Sequence, residues 1–275
     1  MAGGMLCAPA VLRATPERQL RFGLTPVFLT NDLELLERLK IYLSRATGRD
    51  VRLVQRRTYQ EITALLLSNQ LDAAWICGYP YVQYRSQLSL LAVPVWHGRP
   101  LYQSYIIVGE GHEVGTIEQL RGDIHAFSDP HSNSGYLVTT ALLAAQGERP
   151  AEFFGRTFFT YGHRNVVRAV AAGLAGSGSV DGYVWEVLRE TEPVLTARTR
   201  VLHKSEWLGF PPVAGPAKPR SAQLEEAITQ ALLRMDKDPE GRAVLSMLRL
   251  DRFEQHGPSV FDAIAQKVAL VKALG

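Results

Sequence analysis

Apolar residues recur along the first quarter of the chain with two alternating periods. The apolar residues have the spacing of a β-strand in residues 20–25, 50–56 and 71–76. They have the spacing of an amphipathic helix in residues 33–46 and 58–70. Strands that alternate with helices in this order form parallel sheets that have helices on their faces. The pattern therefore predicts a β-α-β-α-β unit.

A second series of the same kind follows a strand-rich stretch at residues 94–109. Its last helix, predicted at 163–176, has Val166, Val170 and Leu174 on one side, and the segment "SVDGYVW" at 179–185 is predicted to be a strand. The intervening "GSGS" at 176–179 is predicted to be a flexible turn and not a phosphate-binding loop.

Two similar α/β lobes follow from these two series. We assign residues 20–103 and 208–275 to lobe 1 and residues 104–207 to lobe 2, with hinge crossovers near 103–106 and 205–212. Residues 1–19 are predicted to be the remnant of a signal peptide or a disordered N-terminus. Two doubly wound lobes bring the carboxyl ends of their strands to a shared crevice, where small ligands bind.

Composition narrows the class of function. The chain has 275 residues and a formal net charge of +3 without a long basic run, which argues against a nucleic-acid partner. No stretch approaches the ~20 apolar residues of a membrane span. The two cysteines, Cys7 and Cys77, cannot make a disulfide framework. The histidine and cysteine spacing fits no metal site, and nothing in the sequence calls for a cofactor.

The segment "FSDPHSNSGY" at 127–136 carries the clearest candidate chemistry. Ser132, Asn133 and Ser134 directly precede a predicted helix, so that hydroxyl, amide and free backbone N–H groups converge beside the positive end of the helix dipole. Gly135 would allow a ligand to approach the backbone closely. The alternative is an ordinary helix N-cap, which uses the same residue types.

The chain resembles the PhnD-type periplasmic substrate-binding proteins, which capture phosphonate, phosphite or phosphate for ABC importers. The resemblance covers about residues 20–250 and rests on the segments "TYQEITALL", "DAAWICGYPYV", "YQSYIIV", "FSDPHSNSGY", "YGHRNVVRAV" and "VDGYVW". It implies a type II periplasmic binding protein fold, export to the periplasm after signal-peptide cleavage, and binding without catalysis. It also implies a monomer that works with an ABC permease.

The resemblance also implies a set of ligand-binding residues. Asp181 is placed at the start of a strand, away from the ligand, and His163 could instead serve only to cap the helix that follows it. The residues that match the family's binding positions, or that line the predicted wall of the site, are Ser132, Asn133, Ser134, Gly135, Tyr59, His163, Tyr81, Tyr183 and Trp185.

Cys77 leaves the identity of the ligand open. A free cysteine is often a small buried apolar residue. If a helix begins in "GYPYV", however, its N-terminus would lower the pKa of the thiol and favour a thiophilic ligand. Here the chain is similar to the AioX-type arsenite-binding proteins, which signal to a membrane histidine kinase. Arsenite sensing and oxyanion uptake therefore both stay open, and an enzyme that pairs Cys77 with His131 or His163 is a further alternative.

Overall fold

The computed structural model of the protein describes residues 19–26 and 33–274. The predicted signal remnant at 1–19 lies almost wholly outside these ranges. The strands are β1 (Leu20–Leu24), β2 (Val51–Gln55), β3 (Ala73–Trp75), β4 (Leu88–Val95), β5 (Leu101–Tyr102), β6 (Ser104–Gly109), β7 (Ile124–Phe127), β8 (Arg156–Phe159), β9 (Ser177–Asp181), β10 (Thr199–Lys204), β11 (Leu208–Gly209), β12 (Val213–Pro216) and β13 (Arg252–Glu254).

The helices lie between these strands and after the last of them. None that the structure describes is long and apolar enough to cross a membrane. They are α1 (Leu33–Thr47), α2 (Tyr59–Leu67), α3 (Gly78–Gln83), α4 (Val138–Ala144), α5 (Pro150–Phe153), α6 (His163–Ala171), α7 (Gly182–Thr191), α8 (Pro193–Thr196), α9 (Ala222–Leu233), α10 (Pro239–Leu248) and α11 (Asp262–Ala273).

Two separate sheets organise the chain. The first has six strands in the order β13-β4-β12-β3-β1-β2, and β1 pairs in parallel with both β2 and β3. The second has five strands in the order β10-β6-β9-β7-β8, and β7 pairs in parallel with both β8 and β9. Each sheet therefore contains the parallel βαβ arrangement that the two periodic series predict.

The chain crosses between the two sheets twice, and the two crossings are hydrogen-bonded to each other. Strands β5 and β11 form a two-stranded antiparallel ribbon, and the Phe210 N–H donates to the Pro100 carbonyl at 2.9 Å. Helix α11, at the end of the chain, packs against both α3 and α4. The lobe boundaries predicted at 103/104 and 207/208 fall next to this ribbon and stay predictions.

Local sequence explains where several elements begin and end. Thr58 and Glu61 form a capping box at the start of α2, and each side chain accepts the backbone N–H of the other residue. Gly48 adopts a φ of +65° directly after α1, a left-handed conformation that favours glycine at a helix C-terminus. Asp238 caps α10 and is followed by Pro239 in the first helical turn.

The prediction for residues 176–185 is wrong in two respects. Ser177–Asp181 is a fully buried strand between β6 and β7, and not a turn. The strand prediction then fails from Gly182 onwards, because Asp181 accepts the Val184 N–H and starts helix α7. Leu174 also departs from expectation, since it lies beyond the end of α6 and its side chain is 67% exposed.

A buried histidine explains why polar residues occupy this central strand. His125 on β7 makes hydrogen bonds of 2.9 Å to Ser177 Oγ and 2.8 Å to Ser179 Oγ, and its ring stacks on Phe154 at 4.2 Å between centroids. Burial lowers the pKa of His125 to about 3 from an ordinary value of 6.5. The folded protein thus holds this imidazole in its neutral form.

We expect His125 to make the protein sensitive to acid. Because its pKa is lower in the folded state, its contribution to stability is complete above pH 6.5 and is lost as the pH falls from there towards about 3. The loss should reach roughly 3 kcal/mol or more, since one pKa unit corresponds to ~1.4 kcal/mol. Urea unfolding of the wild type and His125→Gln across this range measures it. The variant should show a flatter profile, and parallel profiles would contradict the prediction.

Candidate functional site

The ends of five parallel strands converge at the junction of the two lobes. Strands β2 and β3 lead to Tyr59 and Cys77 on the side of the six-stranded sheet, while β7, β8 and β9 lead to Ser132, His163 and Asp181 on the other side. In open α/β sheets this edge is where ligands bind. The residues that meet here, called the interlobe cluster below, are Tyr59, Cys77, Tyr102, Ser128, Asp129, Ser132, Asn133, Ser134, Gly135, His163 and Asp181.

The segment after β7 folds back on itself to begin a helix. The Ser132 hydroxyl accepts the Gly135 N–H at 3.0 Å, and the Ser128 N–H donates to the Gly135 carbonyl at 3.1 Å. A side chain at Gly135 would place its Cβ 1.8 Å from Ser128 Oγ, so only glycine fits there. Residues Asn133–Leu137 form one π-helical turn ahead of α4, an irregularity that is frequent at functional sites. The predicted helix N-terminus is thus present.

Three polar side-chain atoms in this segment are buried and have no hydrogen-bond partner within residues 19–26 and 33–274: Ser128 Oγ, Asn133 Oδ1 and Ser134 Oγ. Native proteins pair nearly all buried polar groups, because an unpaired one costs free energy. Burial raises the pKa of Asp181 and of Tyr102, and the nearby Ser134 hydroxyl offsets a small part of each rise. The Ser134 hydroxyl nevertheless makes no hydrogen bond of normal geometry with either residue. These atoms are suited to bind a polar ligand.

His163 connects the two sides of the cluster as a neutral donor. Its Nδ1 accepts the Asp181 N–H at 3.1 Å, so the ring hydrogen lies on Nε2, which contacts Tyr59 Oη at 3.1 Å. Burial lowers the pKa of His163 to about 3 and keeps the ring uncharged. Because Tyr59 Oη accepts from Nε2, its own O–H remains available to a ligand.

Asp129 makes a second contact across the junction. One carboxylate oxygen accepts the His131 N–H at 2.7 Å, and the other accepts the Tyr59 N–H at 3.2 Å, at the first turn of α2. Asp129 is fully buried. A carboxylate at a helix N-terminus is favourable because it satisfies a free N–H and opposes the helix dipole.

Cys77 lies on the junction, but its thiol is not activated. Its Sγ accepts the Asn133 N–H at 3.2 Å, and helix α3 begins at the next residue, as the sequence suggested. The expectation that this helix lowers the thiol pKa is wrong, because burial raises the pKa of Cys77 to about 12. Asn133 also donates through Nδ2 to Tyr102 Oη at 2.8 Å, which leaves the tyrosine O–H free to donate elsewhere.

Asp181 lies at the end of β9 inside the cluster, so its predicted position at the start of a strand is wrong. Its side chain is buried, and Oδ1 accepts the Val184 N–H at 3.2 Å. Burial raises the pKa of Asp181 to about 7, although the N–H groups of Val184 and Tyr183 and the Ser134 hydroxyl act in the opposite direction.

Three of the predicted wall residues have their side-chain contacts outside the cluster. Tyr81 packs on Phe261, with ring centroids 4.7 Å apart. The Tyr183 hydroxyl donates to the Leu248 carbonyl at 2.5 Å, and Trp185 Nε1 donates to Thr199 Oγ1 at 3.2 Å. The contacts of Tyr183 and Trp185 lie outside the cluster because these residues are on helix α7 and not on a strand.

Several residues of the interlobe cluster are missing from the ligand-binding residues predicted from the sequence. The reasons differ between them. Ser128 and Asp129 lie within the motif at 127–136 but look like a strand end and a turn. Tyr102 begins the segment "YQSYIIV", in which the sequence does not show the direction of each side chain, and the sequence pattern places Asp181 at the wrong end of a strand. Within residues 19–26 and 33–274, no group of three or more His, Cys, Asp or Glu side chains could hold a metal ion.

Comparison with known proteins places this site in a family context. A family model described as "ABC transporter, phosphonate, periplasmic substrate-binding protein" matches residues 22–260, which include the whole interlobe cluster. Because the match covers most of the chain, the resemblance seen in the sequence is confirmed.

Solved structures of three binding proteins share the fold. A binding-protein component of an ABC phosphonate transporter from Pseudomonas aeruginosa has 20% sequence identity and a TM-score of 0.86, over 94% of this chain and 88% of that one. PhnD1 from Prochlorococcus marinus in complex with methylphosphonate has 18% identity and a TM-score of 0.83, over 94% and 99%. The alkanesulfonate-binding protein SsuA from Xanthomonas axonopodis pv. citri, bound to MOPS, has 18% identity and a TM-score of 0.64, over 95% and 94%.

These matches confirm the predicted fold of two α/β lobes of the type II periplasmic binding proteins. Proteins of the matched family bind a small molecule outside the cytoplasm for an ABC permease, and they are not enzymes, as the sequence predicted. The chain belongs to the family of periplasmic substrate-binding proteins of phosphonate ABC transporters.

Proposed function

We propose that the protein captures a small phosphorus oxyanion, namely a phosphonate, phosphite or phosphate, in the interlobe cluster and presents it to an ABC permease. The observation that carries this proposal is the occurrence, within the short segment 128–134, of the buried atoms Ser128 Oγ, Asn133 Oδ1 and Ser134 Oγ, which have no hydrogen-bond partner among the residues that the structure describes. The segment lies at the junction of the lobes. The family match supports the same class of ligand.

The donors available to the ligand are neutral. Tyr59 and Tyr102 each accept a hydrogen bond at Oη and keep an O–H to donate, and Ser134 has a hydroxyl. The N–H groups of Asn133 and Gly135 at the start of the turn are already donated to Cys77 Sγ and Ser132 Oγ. Oxygens of a tetrahedral anion accept hydrogen bonds from the hydroxyl groups. Such a site selects its ligand by shape and by the pattern of donors and acceptors, since the interlobe cluster, as far as the structure describes the chain, contains no lysine or arginine.

The hydrogen bonds that join the two lobes indicate how ligand binding would be coupled to lobe closure. Tyr59 on the first lobe contacts His163 and Asp129 on the second, and Cys77 contacts Asn133, so these bonds form only when the lobes meet. A ligand that touches both sides favours the closed state by its differential affinity for that state. The closed surface is then what a permease recognises.

A second candidate function is arsenite binding, with a sensor histidine kinase as the partner. The location of Cys77 favours it, because the sulfur lies on the junction within hydrogen-bond distance of Asn133. The raised pKa opposes it, because the thiol of the folded protein is protonated at neutral pH. Uptake of a phosphorus oxyanion is therefore the better-supported function.

Ser134→Ala tests the anion-binding turn. The substitution removes one donor to a charged ligand, which should weaken methylphosphonate binding by roughly ten- to a hundredfold, because such a bond contributes about 1.5 to 3 kcal/mol. Isothermal titration calorimetry of the purified protein measures the change. Ser259→Ala, at an exposed serine far along the chain, is the matched control. Unchanged affinity in Ser134→Ala would remove this turn from the site.

Cys77→Ser separates the two candidate ligands. Serine retains an acceptor for the Asn133 N–H but loses the affinity of sulfur for arsenic. We expect methylphosphonate or phosphite to bind the variant within about threefold of the wild-type affinity, and we expect arsenite to bind neither protein tightly. Saturable arsenite binding that Cys77→Ser abolishes would instead establish the sensory function.

Asp129→Asn tests the closure contact. The amide oxygen can still accept the His131 N–H, whereas the amide nitrogen faces the Tyr59 N–H and cannot accept it. The closed state should lose stability, so small-angle X-ray scattering should show a larger radius of gyration than for the wild type. Asp262→Asn, at an exposed acid in the first turn of α11, is the control. Equal radii for Asp129→Asn and the wild type would contradict a role in closure.

A further inference from the structure

A second layer of contacts crosses the junction outside the interlobe cluster. The Cζ atom of Arg57 lies 4.9 Å from the ring centroid of Tyr161. The ring of Tyr79 stacks on His131, with centroids 6.5 Å apart and an angle of 25° between the planes. Arg57 and Tyr79 follow strands of the six-stranded sheet, whereas Tyr161 and His131 follow strands of the five-stranded sheet. Each contact therefore joins opposite sides of the junction.

The Arg57–Tyr161 contact lies beside the Tyr59–His163 hydrogen bond. Both of its residues stand two positions before a partner of that bond, and Arg57 is exposed whereas Tyr59 and His163 are buried. Tyr161 has a left-handed φ of +54°, which is uncommon for a residue other than glycine, and its N–H donates to the Ser128 carbonyl at 2.7 Å. This bond holds Tyr161 in a conformation that places its ring against Arg57.

The Tyr79–His131 contact lies in the same way beside the Cys77–Asn133 hydrogen bond. Tyr79 follows Cys77 by two positions and His131 precedes Asn133 by two, and both outer residues are half-buried while the inner pair is buried. The His131 N–H is held by Asp129, whose other carboxylate oxygen accepts a backbone N–H of α2. A layer that faces solvent thus covers a buried one. The four outer residues, called the rim below, are Arg57, Tyr79, His131 and Tyr161.

Opening of the junction has to break both layers. The polar side chains of the interlobe cluster are at most 2% exposed, so a ligand held among them leaves only when the two sides separate. Because each rim contact joins opposite sides, the same movement separates the paired rim groups. A cation over an aromatic face and a stacked pair of rings both contribute favourable free energy, which only the closed state has.

We propose that the rim is a latch that keeps the closed lobes together over the bound phosphorus oxyanion and thereby slows its release. This proposal rests on the function proposed above. The rim side chains are separate from those of the interlobe cluster, so their loss leaves the ligand-binding groups in place. The rim contacts form only after a ligand has entered the open junction. They therefore act on the dissociation rate constant and not on the association rate constant.

Leucine and phenylalanine variants of the two rim tyrosines test the latch. Tyr161→Leu and Tyr79→Leu each remove one aromatic ring and leave the charge of Arg57 in place, whereas Tyr161→Phe and Tyr79→Phe retain the ring and are the matched controls. We expect each leucine variant to release methylphosphonate about two- to fivefold faster than the wild type, and the double leucine variant roughly tenfold faster. The phenylalanine variants should stay within about twofold of the wild type.

Two measurements separate the rate constants. Phosphorus NMR exchange spectroscopy with methylphosphonate gives the dissociation rate constant, and isothermal titration calorimetry gives Kd, from which the association rate constant follows. The association rate constant should stay within about twofold of the wild type. Thermal melts show whether each variant folds. If Tyr161→Leu does not fold, Arg57→Gln at about 0.15 M salt removes the same contact from the other lobe.

The outcomes distinguish the latch from the proposed function. Wild-type dissociation in the leucine variants, an equal rise in the phenylalanine variants, or a loss of affinity that lies entirely in the association rate constant would overturn the latch. Each of these results leaves the proposed function intact. If methylphosphonate, phosphite and phosphate all fail to bind the wild type, the proposed function is wrong and this inference is wrong with it. Faster release in the leucine variants alone would establish the latch.

Discussion

The structure depends on the burial of polar groups where the two lobes meet. Removing a hydroxyl, amide or carboxyl group from water is costly unless it finds a partner, and the partners here come from opposite sides of the junction. The Tyr59–His163, Tyr59–Asp129 and Cys77–Asn133 contacts all cross it. The relative position of the two sides is consequently set by directional bonds, which tolerate much less displacement than apolar packing does.

Neutral donors and buried acids together define the chemistry of the cluster. His163 is held uncharged by burial and by the Asp181 N–H, and this fixes which ring nitrogen carries the hydrogen. That hydrogen in turn orients the Tyr59 hydroxyl. A chain of this kind couples the position of one backbone N–H to the orientation of a hydroxyl donor on the opposite side of the junction.

Most of the fold could be predicted from the sequence, because helix α1 of lobe 1 buries one regular face and strands β1 and β3 are short, mainly apolar runs. The failure at residues 176–185 has a physical cause. Strand β9 is buried on both faces and carries Ser177 and Ser179 to satisfy His125, so its polar residues resemble a turn. The residue types around Ser132 are enough to predict the turn there. The places of Asp181 and Tyr102 in the cluster cannot be predicted in this way, because they depend on the direction of a side chain in three dimensions.

The paired crossings β5 and β11 have a mechanical consequence. Because the two crossing segments are hydrogen-bonded to each other as one ribbon, neither can turn without the other. Relative motion of the sheets is then confined largely to bending and twisting of a single short joint, and independent sliding of the lobes is suppressed. Such a joint has few degrees of freedom, so any relative motion of the two sheets would bring the same atoms back to within hydrogen-bond distance of each other.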